Sequence, residues 1–178
     1  MPIYTSTYVK PGIPVLNVGD IIKLDDFYYK IVSVEDLRYT YTTSSIAAGG
    51  TLTVDLTDLQ PSNNELYFLE QLLNLTSGSG VEFQYPRGTV KGTPHGLSAP
   101  ITSSLTPVST NIVQPYILSL WIKPGLPPTL YAVNTSASAQ TVTVWVFGWK
   151  FKVELVKEDE ASRAKMMGKI VYEARSTY

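Results

Sequence analysis

The alternation of short strand-like runs with turn-forming clusters constrains the fold of this chain more than any other feature. The runs are rich in Val, Ile, Thr, Tyr and Phe. Clusters of Gly, Pro, Ser and Thr separate them at positions 11–12, 49–50, 77–80, 92–94, 124–125 and 127–128. Short strands at this spacing are typical of antiparallel sandwiches and barrels. We therefore expect a mainly β protein in which two antiparallel sheets pack face to face.

The clearest runs define the predicted strands. Residues 51–57 alternate so that Leu52, Val54 and Leu56 share one face. Residues 116–122 are mostly apolar, as in a central strand that is covered on both sides. The predicted strands are 21–24, 27–34, 51–57, 81–85, 116–122, 130–134 and 141–155.

The last two predicted strands flank a small polar loop and predict a hairpin, but the second of them changes its apolar face part-way. Its apolar residues are Val142, Val144 and Val146 on one face and Trp149, Phe151, Val153 and Leu155 on the other. One regular strand cannot direct both sets into one core, because side chains alternate with a period of two. A β-bulge at Phe147 and Gly148 would bring the sets into register and turn Trp145 away from that core. The alternative is a strand buried on both faces, with Trp145 an ordinary core residue.

One connection has helical spacing. Ser62 and Glu65 have the spacing of a capping box, and leucines follow at intervals of three and four residues. A short helix is therefore predicted over residues 64–75, although the apolar run 66–69 keeps a strand as the alternative.

A second helix is predicted at the end of the chain, over residues 158–174. Its acidic residues come first and its basic residues later, which suits the helix dipole. An apolar stripe at helical spacing accompanies them. We therefore expect a β-sandwich domain over residues 1–156 and a charged C-terminal helical arm over residues 157–178.

Charged side chains are scarce and unevenly distributed. They make up 16% of the chain, against about 25% in an average soluble domain. Between Gly92 and Trp149 the single charged side chain is Lys123. Because interface cores are depleted of charge, this stretch favours a surface that contacts other protein; a run of neutral loops is the alternative. The predicted contact residues are Trp145, Phe147, Met167, Ile170 and Val171.

Little in the chain indicates catalysis or a bound cofactor. It has no cysteine and one histidine, His95, in a predicted turn, so thiol chemistry and multi-histidine metal sites are excluded. No nucleophile elbow, phosphate loop or dinucleotide motif is present. We expect no catalytic residue, no cofactor and no metal. Hydrolysis of a glycoside would need two carboxylates facing each other across a cleft, and the acid pairs are Asp25/Asp26, Glu35/Asp36 and Asp55/Asp58.

The overall charge and hydropathy also limit the partners. A net charge of −1 gives no general attraction to nucleic acid. No apolar run approaches the ~20 residues that span a bilayer, and the first residues lack the pattern of a signal peptide.

Residues 115–156 resemble the closing strands of viral β-sandwich subunits. They contain Tyr-Ile-Leu-Ser-Leu-Trp-Ile-Lys-Pro-Gly, then Thr-Leu-Tyr-Ala-Val-Asn-Thr-Ser-Ala, then Thr-Val-Thr-Val-Trp-Val-Phe-Gly-Trp-Lys-Phe. The chain is similar to small single jelly-roll capsid proteins of icosahedral viruses that contain an internal membrane and infect thermophilic archaea or bacteria. The resemblance implies a jelly-roll sandwich, a homo-oligomer in the virion, a second capsid protein as partner and contact with the internal membrane. It implies no catalytic residue.

The leading hypothesis is therefore a structural virion subunit that self-associates, made in the host cytoplasm. The alternative is a carbohydrate- or receptor-binding module, because β-sandwiches can present exposed aromatic rings to sugars and this chain has 12 Tyr and 3 Trp. A hydrolase that uses two of the carboxylates is the third hypothesis. No specific nucleic-acid partner is expected.

Overall fold

The computed structural model describes residues 15–54, 56–76, 80–84, 86–90, 93–96, 116–125 and 130–174. The strands within these residues are β1 (Ile21–Leu24), β2 (Phe27–Thr42), β3 (Thr51–Val54), β4 (Glu65–Asn74), β5 (Val81–Gln84), β6 (Pro86–Val90), β7 (Thr93–Gly96), β8 (Tyr116–Ile122), β9 (Leu130–Asn134), β10 (Thr143–Val156) and β11 (Val171–Ala174). A helix, α1, spans Glu158–Met166, and a short 3-10 helix spans Thr57–Leu59.

The strands form two packed sheets and one separate pair. The six-stranded sheet has the order β11-β1-β2-β10-β4-β8, the three-stranded sheet the order β3-β9-β5, and β6 pairs with β7. The pairs are antiparallel except for β1 and β11, which are parallel. The prediction of a mainly β protein with two packed sheets is confirmed.

The first hydrophobic core lies between these two sheets. Val144 of β10, Leu69 of β4 and Leu120 of β8 are buried in one layer, and Ala132 of β9 and Phe83 of β5 are buried in the other. The predicted alternation of β3 also holds at Val54, which is buried in this core.

The second core lies on the opposite face of the six-stranded sheet. Trp121 of β8 is at its centre, with ring centroids 4.9 Å from Phe68, 5.6 Å from Phe151 and 5.9 Å from Tyr172. Trp121 and Tyr172 belong to the two edge strands of that sheet. The sheet therefore curls until its edges meet around the second core.

β10 contributes to both cores, so the prediction that its apolar residues share one core is wrong. Val144 and Val146 lie in the first core, whereas Phe151 and Val153 lie in the second. The strand alternates regularly, and the change of apolar face is accommodated by cores on opposite sides of the sheet. Trp145 points away from the first core, as the predicted register required, and is 42% exposed.

The bulge predicted within β10 lies instead on its neighbour. The register between the strands does shift between Phe147 and Gly148, but Phe147 pairs with Gln71 and Gly148 with Leu69. The extra residue is therefore Glu70 of β4.

The helix predicted over residues 64–75 is wrong, and the strand alternative is correct. The capping-box contact exists, because the Ser62 N–H donates to Glu65 Oε2 at 3.3 Å. It precedes a strand that lies between β10 and β8. Both Leu69 and Leu72 face the first core, because the bulge at Glu70 resets the alternation. The three-residue spacing thus reflects a bulge rather than a helical turn.

The predicted hairpin between residues 130–134 and 141–146 is also wrong. β9 belongs to the three-stranded sheet and β10 to the six-stranded sheet, so the intervening loop crosses between the layers. The buried Asn134 organises this crossing. Its Nδ2 donates to the carbonyl oxygens of Ile46 (2.9 Å), Ala47 (3.1 Å) and Ser138 (2.8 Å), and its Oδ1 accepts from Ser136 N at 2.9 Å.

The C-terminal helix is shorter than the predicted 158–174. It ends at Met166, and Gly168 follows with a φ of 79°. The N–H of Lys169 donates to Ala164 O at 3.0 Å and that of Gly168 to Lys165 O at 3.1 Å, the pattern of a Schellman motif. The chain then forms β11 beside β1. Met167, Ile170 and Val171 therefore do not form one helical stripe.

The remaining strand predictions differ mainly in length. β1 and β8 have the predicted bounds, whereas β2 continues to Thr42 and β3 ends at Val54. The described side chains of β8 are buried on both faces as predicted, with Leu118, Leu120 and Ile122 in the first core and Trp121 in the second, although β8 lies at the sheet edge among the strands that the structure describes. His95 lies in β7 rather than in a turn.

The described part of the charge-poor stretch supplies strands β8, β9 and the start of β10, whose buried residues line the protein's own cores. Internal burial accounts for the lack of charge at the buried positions of these strands, but not in the loop 135–141, which is exposed or half-buried and also uncharged. Residues 97–115, the most hydroxyl-rich part of that stretch, lie outside the described residues.

Candidate interface on the outer face of the six-stranded sheet

Three aromatic side chains of β10 form a row on the face of the six-stranded sheet that points away from the first core. The aromatic row consists of Trp145, Phe147 and Trp149. Trp145 is 42% exposed and Trp149 36% exposed, while Phe147 is half-buried. The same face of β10 continues into the second core with Phe151. The aromatic row is therefore an apolar surface that continues the second core into a part of the sheet that no other element covers among the described residues.

Contacts within the sheet hold the row in place. The rings of Trp145 and Phe147 meet edge to face, with centroids 5.9 Å apart and planes at 77°. The indole Nε1 of Trp149 donates to Glu70 Oε2 at 3.2 Å, so the bulge residue of β4 orients that ring. Edge-to-face pairs and an anchored indole present a preformed surface that loses little side-chain entropy on binding.

The flanks of the aromatic row carry polar side chains with little net charge. On β2, Thr40 pairs with Trp145 and Arg38 with Phe147 across the sheet. Arg38 Nη2 lies 3.7 Å from Asp36 Oδ2, so these two charges offset each other. On β4, the uncharged Gln71 pairs with Phe147 and the apolar Leu73 with Trp145.

The other predicted contact residues lie elsewhere. Met167 caps the end of α1 and is strongly exposed, and Ile170 is exposed in the following turn. Val171 begins β11 and packs with Ile21 and Ala161 beneath the helix. The structure thus places Trp145 and Phe147 together on one surface and separates them from the other three.

Sequence reasoning missed Trp149 and Glu70 as members of the surface. The shared parity of Trp149 with Phe151 and Val153 predicts a core position for Trp149. Its position relative to Trp145 carried the signal, since residues 145, 147 and 149 share one face of any regular strand. Glu70 could not be found in this way, because its place on that face depends on the bulge.

Among the described residues, Glu65 is the carboxylate whose pKa is shifted most, and its partners are side chains that hold the fold together. Burial raises the pKa of Glu65, but hydrogen bonds from Lys150 and Ser62 outweigh burial and lower the pKa to about 2. Lys150 Nζ lies 2.8 Å from Glu65 Oε1, and the Tyr67 hydroxyl donates to Glu65 Oε2 at 3.2 Å. Burial, together with the Glu65 charge, raises the pKa of Tyr67. A carboxyl held ionised in this way cannot act as a general acid near neutral pH.

The predicted acid pairs do not form a common site. Asp25 lies in the β1–β2 turn, 3.2 Å from Lys123 Nζ. Glu35 and Asp36 are consecutive in β2 and therefore point to opposite faces. Asp58 lies 3.4 Å from the hydroxyl of Tyr39, and Asp55 lies outside the described residues.

The residues that the structure describes contain neither a metal-binding cluster nor a membrane-spanning helix. No group of three or more His, Cys, Asp or Glu side chains with the spacing of a metal site occurs among them. None of their helices is long and apolar enough to cross a bilayer.

Comparisons with known proteins give little similarity. No protein-family model and no curated protein sequence matches the chain. Among solved structures, it is similar to "The 2.6A structure of Infectious Bursal Virus Derived T=1 Particles", with 15% sequence identity and a TM-score of 0.17. That alignment covers 87% of this chain and 51% of the other, so the chain spans about half the length of that protein. A TM-score of 0.17 does not establish a common fold.

Proposed function

We propose that this chain is a non-enzymatic structural subunit that associates with further copies of itself through the aromatic row. The observation that carries the proposal is the exposure of Trp145 and Trp149 on one face of the sheet, in direct continuation of a buried core. Aromatic residues anchor the buried centres of protein interfaces.

A second copy is the occupant that best fits the flanking charges. A surface with a strong charge of one sign would repel its own copy. Here Arg38 and Asp36 offset each other, and Thr40 and Gln71 are uncharged. The Glu70 carboxylate, which accepts from Trp149 Nε1, is the further charge at this surface. Two copies can therefore bring their aromatic rows together with weak rather than strong like-charge repulsion.

The strand order supports the finer proposal of a jelly-roll fold. The series β2-β10-β4-β8 faces β3-β9-β5. Strands from the first and second halves of the chain alternate in both series, as expected of interleaved Greek keys. β1, β11 and α1 are additions at one end of this sandwich. Together with the resemblance of residues 115–156 to viral subunits, this order leads us to propose a virion shell as the assembly, with a second capsid protein as a further partner.

Sedimentation velocity over a range of protein concentrations tests the self-association. We expect the wild type to form dimers or larger species and Trp145→Ala to weaken that association at least tenfold, since an interface anchor contributes about 2 kcal/mol or more. Phe27→Ala is the matched control, because Phe27 is 55% exposed at the far end of β2. It should associate as the wild type does.

Two results would contradict the proposal. One is a wild type that stays monomeric at the highest concentration reached. The other is that Trp145→Ala associates as strongly as the wild type. Urea unfolding of Trp145→Ala and Phe27→Ala at the wild-type midpoint shows that both variants are folded in this comparison. Electron microscopy of concentrated protein then tests the shell, for which closed particles or sheets are expected.

Carbohydrate binding is the second candidate, and the same aromatic row favours it. Exposed indole rings beside hydroxyl and amide side chains form a platform on which a sugar ring can stack. A glycan array read against Trp145→Ala tests this candidate. Glycan binding by a monomeric wild type, abolished in the variant, would replace self-association as the role of this face.

A further inference from the structure

The longest strand that the structure describes, β2, is paired along its full length on one edge only. β10 pairs with it from Tyr28 to Thr42. On the other edge, β1 pairs with residues 27–30, and the last backbone bonds on that side are those of Ile31. Beyond Ile31, no strand lies along this edge among the residues that the structure describes.

The direction of the backbone bonds identifies the residues that face this edge. Thr43 N donates to Val142 O, on the side of β10. Alternate residues of an antiparallel strand bond to opposite sides, and the register between β2 and β10 is regular from Ser33 to Thr42. The backbone groups that face away from β10 are therefore those of Val34, Asp36, Arg38, Thr40 and Thr42. We call these five residues the second edge of β2.

The second edge of β2 has the properties of a site for an added strand. Exposed backbone N–H and C=O groups in a row are a template for pairing, and proline or lysine commonly blocks it. Residues 31–42 contain neither proline nor lysine, and no charge follows Arg38. On the face of the first core, Tyr41 packs against the core but stays half-buried. An added strand would satisfy the backbone groups and cover this margin of the core.

We propose that residues 3–9 of the same chain add an antiparallel strand to the second edge of β2. Residues 1–14 lie outside the described residues. The sequence of residues 3–9 is Ile-Tyr-Thr-Ser-Thr-Tyr-Val, and six of these seven residues are of types that favour strands. The segment carries no charge, so it brings no like-charge repulsion towards Asp36 or Arg38.

The position of Leu16 favours this segment over a strand from another molecule. Leu16 is buried in the second core, and Gly19 N donates to Ile31 O at 2.9 Å. The described part of the chain therefore starts beside the point where the second edge begins. Residues 10–15 can span about 20 Å, whereas Ile31 and Val34 are about 10 Å apart along the strand. A segment that leads from this edge into Leu16 runs opposite to β2, which makes the pairing antiparallel.

Hydrogen exchange of single backbone amides, followed by NMR on the full chain, tests the pairing. We expect the amides of Asp36, Arg38 and Thr40 to exchange about 100-fold more slowly than in an unstructured peptide. Thr5→Pro combined with Ser6→Pro removes one amide on each side of the segment, so a bond to β2 is lost in either register. Exchange at the three amides should then become at least tenfold faster.

Two internal controls accompany this measurement. Thr5→Ala combined with Ser6→Ala keeps both amides and should leave the exchange at the second edge within about threefold of the wild type. The amides of Leu37 and Tyr41 face β10, so their exchange should be the same in the proline variant, the alanine variant and the wild type.

A disulfide tests whether the added strand comes from the same chain. The protein has no cysteine, so an introduced pair reports without background. In the two nearest registers with the same face, Thr5 or Thr7 lies opposite Arg38. We expect Thr5→Cys or Thr7→Cys, combined with Arg38→Cys, to form a disulfide within one chain at low protein concentration. The matched control pairs the same cysteines with Glu173→Cys, on the exposed edge strand β11, and should stay reduced.

Several results would overturn the proposal. Exchange of Asp36, Arg38 and Thr40 at peptide rates in the wild type would mean that no strand covers the second edge. Protection that persists in the proline variant would exclude residues 3–9 as the cover. Protection that rises with protein concentration, or disulfides between chains only, would identify a second copy as the occupant. Trp145→Ala should show wild-type exchange at the second edge, so this test is independent of self-association through the aromatic row.

Discussion

The rings of Trp121 and Tyr172 lie 5.9 Å apart, centroid to centroid, although they belong to opposite edges of the six-stranded sheet. This contact joins the last strand described, β11, to β8 and completes the second core. β11 therefore has two roles: it pairs with β1, and it contributes the apolar side chains of Tyr172 and Ala174 to the second core.

Tyr172→Ala should destabilise the fold by removing this contact. We expect the free energy of unfolding in urea to fall by about 2 kcal/mol, less than for a fully buried aromatic residue, because Tyr172 is half-buried. Tyr172→Phe keeps the ring and should remain within about 0.5 kcal/mol of the wild type. Equal stability of Tyr172→Ala and the wild type would show that the edge contact contributes nothing.

Gly148→Ala should be strongly destabilising, because β4 approaches Gly148 too closely for a side chain. A Cβ there would overlap the carbonyl oxygen of Phe68 and would lie 3.0 Å from Leu69 Cα. We expect a loss of about 2 to 4 kcal/mol in urea unfolding, since the β4 backbone must move. Gly125→Ala is the control, with a φ of 85° but no atom within 4 Å of the new Cβ. It should lose only about 1 kcal/mol through backbone strain. Equal losses in the two variants would contradict the close approach.

Asn134→Ala should disrupt the crossing between the two sheets. It removes the donor for three carbonyl oxygens, those of Ile46, Ala47 and Ser138. The bond to Ile46 O is buried, whereas Ala47 and Ser138 are exposed and their carbonyl oxygens can bind water instead. Leaving one buried acceptor unpaired costs about 1 to 3 kcal/mol, so we expect a loss of about 2 to 3 kcal/mol by thermal or urea unfolding. Asn64→Ala, at an exposed site, should stay within about 0.5 kcal/mol of the wild type. A small loss in Asn134→Ala would mean that water replaces the amide.

The sequence predicts the local strands better than their partners. Alternation and turn clusters locate β1 and β8 at their observed bounds, because both signals are local. The assignment of β9 and β10 to different sheets depends on Asn134 and its contacts with Ile46 and Ala47, far away in the chain. A polar loop of the same length could equally close a hairpin.

The candidate interface was partly predictable for the same reason. The parity of β10 locates Trp145 on the face away from the first core, and its exposure confirms that orientation. The alternation also placed Trp149 with Phe151, which is correct for the face of the strand. A single core would bury Trp149 along with Phe151. The structure exposes Trp149 because the second core ends between these two residues, and the sequence of one strand does not show where its neighbours stop covering it.

The fold should lose stability at acidic pH through Glu65. Hydrogen bonds from Lys150 and Ser62 lower its pKa in the folded protein from 4.5 to about 2. The ionised carboxylate therefore stabilises the fold fully above pH 4.5, and this contribution is lost as the pH falls towards 2. Glu65→Gln should be less stable than the wild type by about 2 to 3 kcal/mol at pH 7.

Comparing the unfolding free energies of the wild type and Glu65→Gln isolates the effect of Glu65, because the other carboxyl groups titrate in both proteins. Urea unfolding at a series of pH values should show this difference shrinking below pH 4.5 and becoming smallest near pH 2. Glu173→Gln is the control, because Glu173 is exposed and lies 4.0 Å from Lys23; its difference from the wild type should stay within about 0.5 kcal/mol at every pH. If the difference in unfolding free energy between Glu65→Gln and the wild type does not change with pH, the ionised form of Glu65 is not what stabilises the fold, and the prediction is contradicted.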